Sequence, residues 1–418
     1  MACWVTTSKR VPAEDVVLAP LHRNRDFSLL WSGMAVSVVG TQISATAYPL
    51  LVLALHYSAA DAGLVGFMAT LPYAVLQLPA GAFIDRWNRK RTMIGCDIGR
   101  AVALASVVAA VVLHRVSLAQ LMVAAFVEGS LFVFFNIAEP TAVRAVVPRP
   151  QLPTALAQNQ ARNQGAALAG RPAAGLLFSV ARFAPFLADA LSYLASIAAL
   201  LLIRTEFQDE RTHMPLRRIP PEISEGIRWL WRQPFLRITA LLVAGSNFMF
   251  QALVLVLIVI ARDHGASSGI IGVMLAGSGI GGIAGAVIAP WAQRRLPANV
   301  IVIAATWTWA VLLVPVAFVT QPYLLGTLFA VMAFFGPPWN VVIATYRLTI
   351  TPDQLLGRVS SVATVIAYGA IPVGSLIGGA LLTATGARTT TLTLCAVVVG
   401  CAIAASLSGS VRSISRTS

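Results

Sequence analysis

Charge is scarce in this 418-residue chain. Asp, Glu, Lys and Arg make up 11% of it against 57% apolar residues, and the mean hydropathy is +0.78. So few charges cannot surface a water-soluble fold. Cysteine is scarce too: Cys3, Cys96, Cys395 and Cys401 show no CxxC spacing and the last three sit in apolar stretches, which implies no disulfide or metal framework. The five histidines, His22, His56, His114, His213 and His264, all fall in tails or loops. There is no nucleotide-binding loop, no His/Glu metal motif and no nucleophile elbow, so ATP hydrolysis and surface catalysis have no residues to carry them, and no metal and no cofactor are expected. Alternating segments of about 10 residues, the mark of a membrane barrel, are also missing. Residues 1–26 contain no apolar run long enough for a signal peptide and read as a polar cytoplasmic tail.

What the chain has in abundance is apolar runs of about 20 residues, each able to cross roughly 30 Å of hydrocarbon as a helix that satisfies its own backbone. The breaks between them predict helices over 27–55, 61–84, 92–113, 118–147, 152–180 and 183–203, then over 236–261, 267–290, 298–319, 322–349, 355–383 and 388–409. The expected fold class is an all-α membrane protein, twelve transmembrane helices in two pseudo-symmetric six-helix bundles, 27–203 and 236–409. A cytoplasmic linker, 204–235, joins the bundles, and tails 1–26 and 410–418 flank them. Within the linker, Pro221–Trp231 suits an amphipathic interfacial helix with Ile223, Ile227, Leu230 and Trp231 turned inward. The halves echo each other. Gly63, Gly66 and Met68 return 206 residues later as Gly269, Gly272 and Met274, while Arg144, Gln151, Leu152 and Gly175 return 203 residues later as Arg347, Gln354, Leu355 and Gly378.

A net charge of +14 would suggest nucleic acid in a soluble protein, so the placement of the charges decides its meaning. Of the 30 lysines and arginines, 23 fall in the tails, in the linker or near the helix ends on that same side. Only Arg115, Arg182, Arg262 and Arg388 occupy the opposite loops, and Arg100, Arg162 and Arg171 lie within spans. Both termini and the linker are therefore expected in the cytoplasm of a cell-membrane protein, with the lipid bilayer as partner and no nucleic acid.

Between the second and third spans stands Gly81-Ala-Phe-Ile-Asp85-Arg86-Trp-Asn-Arg89-Lys90-Arg91. It resembles the signature loop of the major facilitator superfamily, Gly-x-x-x-Asp-Arg-x-x-Arg-Arg/Lys. The physics suits a latch: Gly81 permits close helix approach, and Asp85 can face a helix N-terminus of the other half. A plain positive-inside loop is the alternative. The equivalent loop, Pro290 to Arg295, keeps the bases and lacks the acid. Gly165, Gly170, Pro172 and Gly175 resemble the antiporter element Gly-Pro-x-x-Gly-Gly, with Arg171 where the family's proline usually falls and Ala174 for a glycine. Further stretches, among them Asp97-Ile-Gly-Arg100-Ala, Pro185 to Tyr193 and Pro352 to Ser360, are similar to the transmembrane secretion effectors, which include siderophore and macrolide exporters. The resemblance covers about residues 22–410 and implies a monomeric proton-coupled exporter of a small, partly apolar molecule.

Ionisable residues inside the spans are costly, hence paired, cavity-facing or functional. The fourth and fifth spans form a hairpin turning near 149 and 150, so Glu128 matches Arg171 in depth and Glu139 matches Arg162. Two intramembrane ion pairs are expected. They serve either to neutralise buried charge, or, for Glu128, to exchange an arginine for a proton. Asp97 and Arg100 form a local i, i+3 pair, and Asp189 is read as structural. In this fold the first, fourth, seventh and tenth helices line the cavity, which makes Gln42, Tyr48, Asn136, Asn247, Gln251, Trp339 and Asn340 candidate substrate contacts; interhelical packing is the alternative for each. An importer or facilitator, and a receptor or membrane-embedded enzyme on the same scaffold, are the rival readings.

Overall fold

The computed structural model describes residues 20–84, 86–207 and 219–412. Among them every regular element is helical: α1 (Arg25–Ala54), α2 (Ala59–Val75), α3 (Gln77–Ile84), α4 (Arg89–Val112), α5 (Leu118–Val146), α6 (Leu152–Val180) and α7 (Ala184–Leu202). After the linker come α8 (Ile219–Arg232), α9 (Pro234–Asp263), α10 (Ser268–Arg295), α11 (Ala298–Val316), α12 (Pro322–Phe334), α13 (Gly336–Ile350), α14 (Asp353–Leu407) and α15 (Gly409–Arg412). α2 and α3 form one pass interrupted at Leu76, and α12 and α13 one pass interrupted at Phe335. α14 is two passes joined at Gly386, whose φ of 77° glycine adopts without strain. The described helices thus make twelve passes, six on either side of α8.

Local chemistry explains where these helices begin. Ser58, Ser117 and Ser267 accept hydrogen bonds from the backbone N–H groups of Asp61, Gln120 and Ile270, and Asp61 completes a capping box. Asn24 and Asn88 do the same at the opposite ends of the bundle. Pro337 and Pro338 occupy the first turn of α13, where their missing N–H groups are not needed and where they stop α12 from running straight on. The outer faces are apolar. Val102 is 64% exposed, Val180 83% and Val287 76%, the pattern of a protein whose surrounding solvent is hydrocarbon.

In the first half α1 packs on α6 and α7, α4 on α5 and α7, and α2 on α5; in the second α9 packs on α14, α10 on α12 and α13, and α11 on α14. The halves meet along two crossings, α2 with α14 and α6 with α10. Glycine makes both crossings. A Cβ on Gly63 would lie 2.9 Å from the Cα of Gly379, and one on Gly272 would lie 2.6 Å from the carbonyl oxygen of Arg171. Small residues at these positions let backbone rest on backbone, which is the physical use of the glycines that recur between the halves. At the same end Ala60 N donates to Thr383 Oγ1 at 2.8 Å. All these contacts lie at the end of the bundle remote from the termini.

Nearer the termini the pattern changes. Gly81, expected to permit a close helix approach, makes none: a Cβ there would meet nothing within 4 Å, because α3 continues past the break at Leu76 with no helix against that face. Gly165 is open in the same way. In α8, Leu230 is buried with Phe235, Leu236 and Val359, Ile227 and Trp231 are exposed, and Glu225 forms an ion pair with Arg358. The side chain of Ile223 lies outside the described residues.

Candidate functional site

Glu128, on α5, is 7% exposed and faces α1 and α7. Its Oε1 accepts from Ser44 at 3.2 Å and Tyr193 at 3.1 Å, and its Oε2 accepts from Tyr48 at 3.2 Å. The Tyr193 hydroxyl also lies 3.1 Å from Asp189 Oδ2 and 3.3 Å from Thr41 Oγ1. Asp189, one turn before Tyr193 on α7, is fully buried and receives Ser192 Oγ at 3.0 Å. Arg100 closes the cluster from α4. Its guanidinium lies 4.0 Å over the Tyr193 ring, donates to Thr41 Oγ1 at 2.8 Å and reaches Asp97 Oδ1 at 3.5 Å. Three buried acids therefore surround one arginine.

The expected Glu128–Arg171 pair does not form. The two residues match in depth but not in azimuth: Glu128 looks into its own half, while Arg171 points across the interface, where Nη1 donates to Leu275 O at 3.2 Å and to Ser278 Oγ. No acid pairs with Arg171 among the described residues. The second pair does form. Arg162 Nη2 lies 2.7 Å from Glu139 Oε1, with Asn159 and Asn163 completing the network. Asp189, read from the sequence as structural, is a member of this cluster. Its position near the outer end of α7 suggested a structural, peripheral role, and only the packing of α7 on α1 and α4 brings it to Glu128.

The candidate cavity residues separate into three groups. Asn247 and Asn340 line a cavity of about 390 Å³ between α9, α13 and α14, together with Thr239, Thr364, Tyr368 and Arg347. Asn247 also donates to Ala367 O at 2.8 Å. Asn136 is exposed on α5. The other four make contacts within the helix bundle. Tyr48 is 5% exposed, bound to Glu128 and set edge-on to Phe186; Trp339 is 2% exposed and packs edge-on against Trp309. Gln251 donates to Ser375 Oγ at 2.9 Å, and Gln42 packs under Gly170. Aromatic size and apolar neighbours draw Tyr48 and Trp339 inward, a choice invisible in a helix that is apolar all round. Arg347, Thr364 and Tyr368 were missed; a polar side chain within a span was the available signal.

Asp85 lies outside the described residues. The bases beside it bind their own half: Lys90 Nζ donates to Ile203 O at 2.6 Å and Arg89 Nη1 to Phe207 O at 3.2 Å, placing positive charge on the C-terminal end of α7. Arg86 and Arg91 are exposed. In the antiporter-like element, Gly170 and Gly175 are pressed against α1 and α10, Gly165 faces open space and Pro172 is accommodated inside α6.

Comparison with known proteins gives these contacts a setting. The profile of the transmembrane secretion effector family matches residues 16–416. Over 363 residues the chain is 27% identical to the multidrug efflux pump Tap of Mycolicibacterium fortuitum, covering 85% of this chain and 88% of that one. It is 26% identical over 227 residues to macrolide efflux protein A of Streptococcus pyogenes, covering 54% of this chain and 55% of that one. Among solved structures, the nucleoside transporter NupG superposes with a TM-score of 0.72 at 11% identity, covering 91% of this chain and 98% of that one. That last likeness is one of fold.

Proposed function

We propose that this chain, which belongs to the transmembrane secretion effector family of major facilitator transporters, exports a small, partly apolar molecule from the cytoplasm in exchange for protons. It is a multi-pass membrane transporter and not an enzyme. Export is supported by the relatives, which are named efflux pumps. Coupling to protons is carried by one observation, the three buried acids Asp97, Glu128 and Asp189 around the single Arg100. An ionised carboxylate without a partner costs about 2.5–3.5 kcal/mol at the centre of a membrane helix, so the cluster is stable there when it holds a proton. A passive facilitator has no use for that expense.

The cycle follows from the two crossings. The halves rock about α2–α14 and α6–α10, exposing the central space to one side at a time. With the remote end closed by glycine contacts, the cavity holding Asn247 and Asn340 runs toward Leu230, Leu236 and Arg347 at the end nearer the termini. With both termini in the cytoplasm, substrate enters there. Amide, hydroxyl and aromatic groups among aliphatic walls suit an amphipathic ligand. Closure of that end engages the Asp85 latch, and one copy of the chain suffices for the cycle.

The test is uptake of ethidium and of labelled erythromycin into inverted membrane vesicles whose lumen has been acidified. Uptake should exceed that of vesicles lacking the protein and collapse on adding a protonophore. Uptake indifferent to the protonophore would remove proton coupling, and no uptake of either compound would count against a broad amphipathic substrate class.

A further inference from the structure

The hydroxyl of Tyr193 presents a problem of hydrogen counting. It has one hydrogen, yet three oxygens approach it: Glu128 Oε1 at 3.1 Å, Asp189 Oδ2 at 3.1 Å and Thr41 Oγ1 at 3.3 Å. Thr41 already spends its own hydrogen on Ser37 O at 3.0 Å and accepts from Arg100 at 2.8 Å. If Tyr193 donates to Glu128, its oxygen turns a lone pair toward Asp189, and that contact is attractive only when Asp189 carries a hydrogen. If Tyr193 donates to Asp189, the same holds for Glu128. If it donates to Thr41, both carboxyls need one. Every arrangement places at least one proton on the pair.

The surroundings supply no substitute. Among the described residues, the titratable or charged groups facing the pair are Tyr48 from α1, Tyr73 from α2, Asp97 and Arg100 from α4, and Tyr193 from α7 itself. Tyr368 of α14 lies one ring further out, stacked on Tyr73. The one cation among these described residues, Arg100, already has Asp97 as an ion-pair partner at 3.5 Å. Tyr48 and Ser44 donate to Glu128, and Ser44 and Ser192 also reach Asp189, so each carboxyl is held in place whichever of them has the proton.

We propose that Glu128 and Asp189 form one proton-binding site, with a proton shared between the two carboxyls across the Tyr193 hydroxyl. Its role in driving transport rests on the proton-coupled reading above; its existence as a site does not. The site spans α5 and α7, both of which pack within the first half, so the charge it gains or loses acts on the packing of those two helices against α1.

The purified full chain in lipid nanodiscs tests this by infrared difference spectroscopy at neutral pH in light and heavy water. The wild type should show a deuterium-sensitive band from a protonated carboxyl. Glu128→Gln and Asp189→Asn should each abolish it, because the introduced amide can donate to Tyr193 while the remaining carboxylate accepts from it. Asp97→Asn should keep it. No band in the wild type, or a band that survives one of the two substitutions, would overturn the shared site. Tyr193→Phe keeps the ring and removes the bridge, so the band should weaken or shift in that variant; a band identical to the wild type's would also overturn the shared site. Symmetric loss of the band combined with export indifferent to a pH gradient would retain the site and remove its part in coupling.

Discussion

Alanine at position 175 adds a single methyl group where α6 crosses α10. That methyl would overlap the carbonyl oxygen of Ser268 and stand 3.0 Å from the Cα and N of Gly272. The obstacles are backbone atoms, so no change of rotamer relieves them and the two helices have to separate. Overpacking of this kind costs about 1–3 kcal/mol. In the proposed cycle the contact exists only while the remote end of the bundle is closed, so the cost falls on that state, and the balance of open to closed should shift by about 5–150-fold. Gly165 is the control on the same helix. A Cβ there meets nothing within 4 Å, and alanine instead gains up to about 1 kcal/mol of helix propensity. The assay uses a single cysteine at Ala60, whose backbone N–H bonds Thr383 across the closed end, in a background lacking Cys3, Cys96, Cys395 and Cys401. Labelling by an impermeant thiol reagent should accelerate in Gly175→Ala, with reduced transport, and stay unchanged in Gly165→Ala. Equal labelling of the two variants would refute the reasoning.

Three other outcomes are expected. Breaking the 2.7 Å pair by Arg162→Leu or Glu139→Gln should lower folded yield, at about 3–5 kcal/mol per stranded partner, whereas the double variant should recover most of it in a thermal-stability measurement. Glu128→Gln and Arg171→Leu, which touch different neighbours, should instead show additive effects in the same measurement; recovery in that double variant would mean that they meet. Asp85→Asn should depress transport strongly while leaving membrane insertion intact. Cysteine at 213 should resist an impermeant reagent in intact cells and cysteine near 264 should react, and the reverse pattern would invert the topology.

Helix number and helix ends were legible because they are one-dimensional. Apolar run length counts the passes, and Ser58, Ser117 and Ser267, or Pro337 and Pro338, mark boundaries through hydrogen bonds made within a few residues. Recurrence of Gly63, Gly66, Gly269 and Gly272 made the duplication visible, and at Gly63 and Gly272 a tight crossing tolerates little else. Depth along a hairpin was legible too, which is why Glu139 and Arg162 could be matched across α5 and α6. Azimuth was not. Helices apolar on every side carry no stripe that says which face turns to which neighbour, so equal depth also suggested Glu128 with Arg171, which face different halves. The partnership of Glu128 with Asp189, 61 positions away in the sequence, depends on α7 packing against α1 and α4, and it is that tertiary contact which gathers three acids, one arginine and the hydroxyl of Tyr193 in one place.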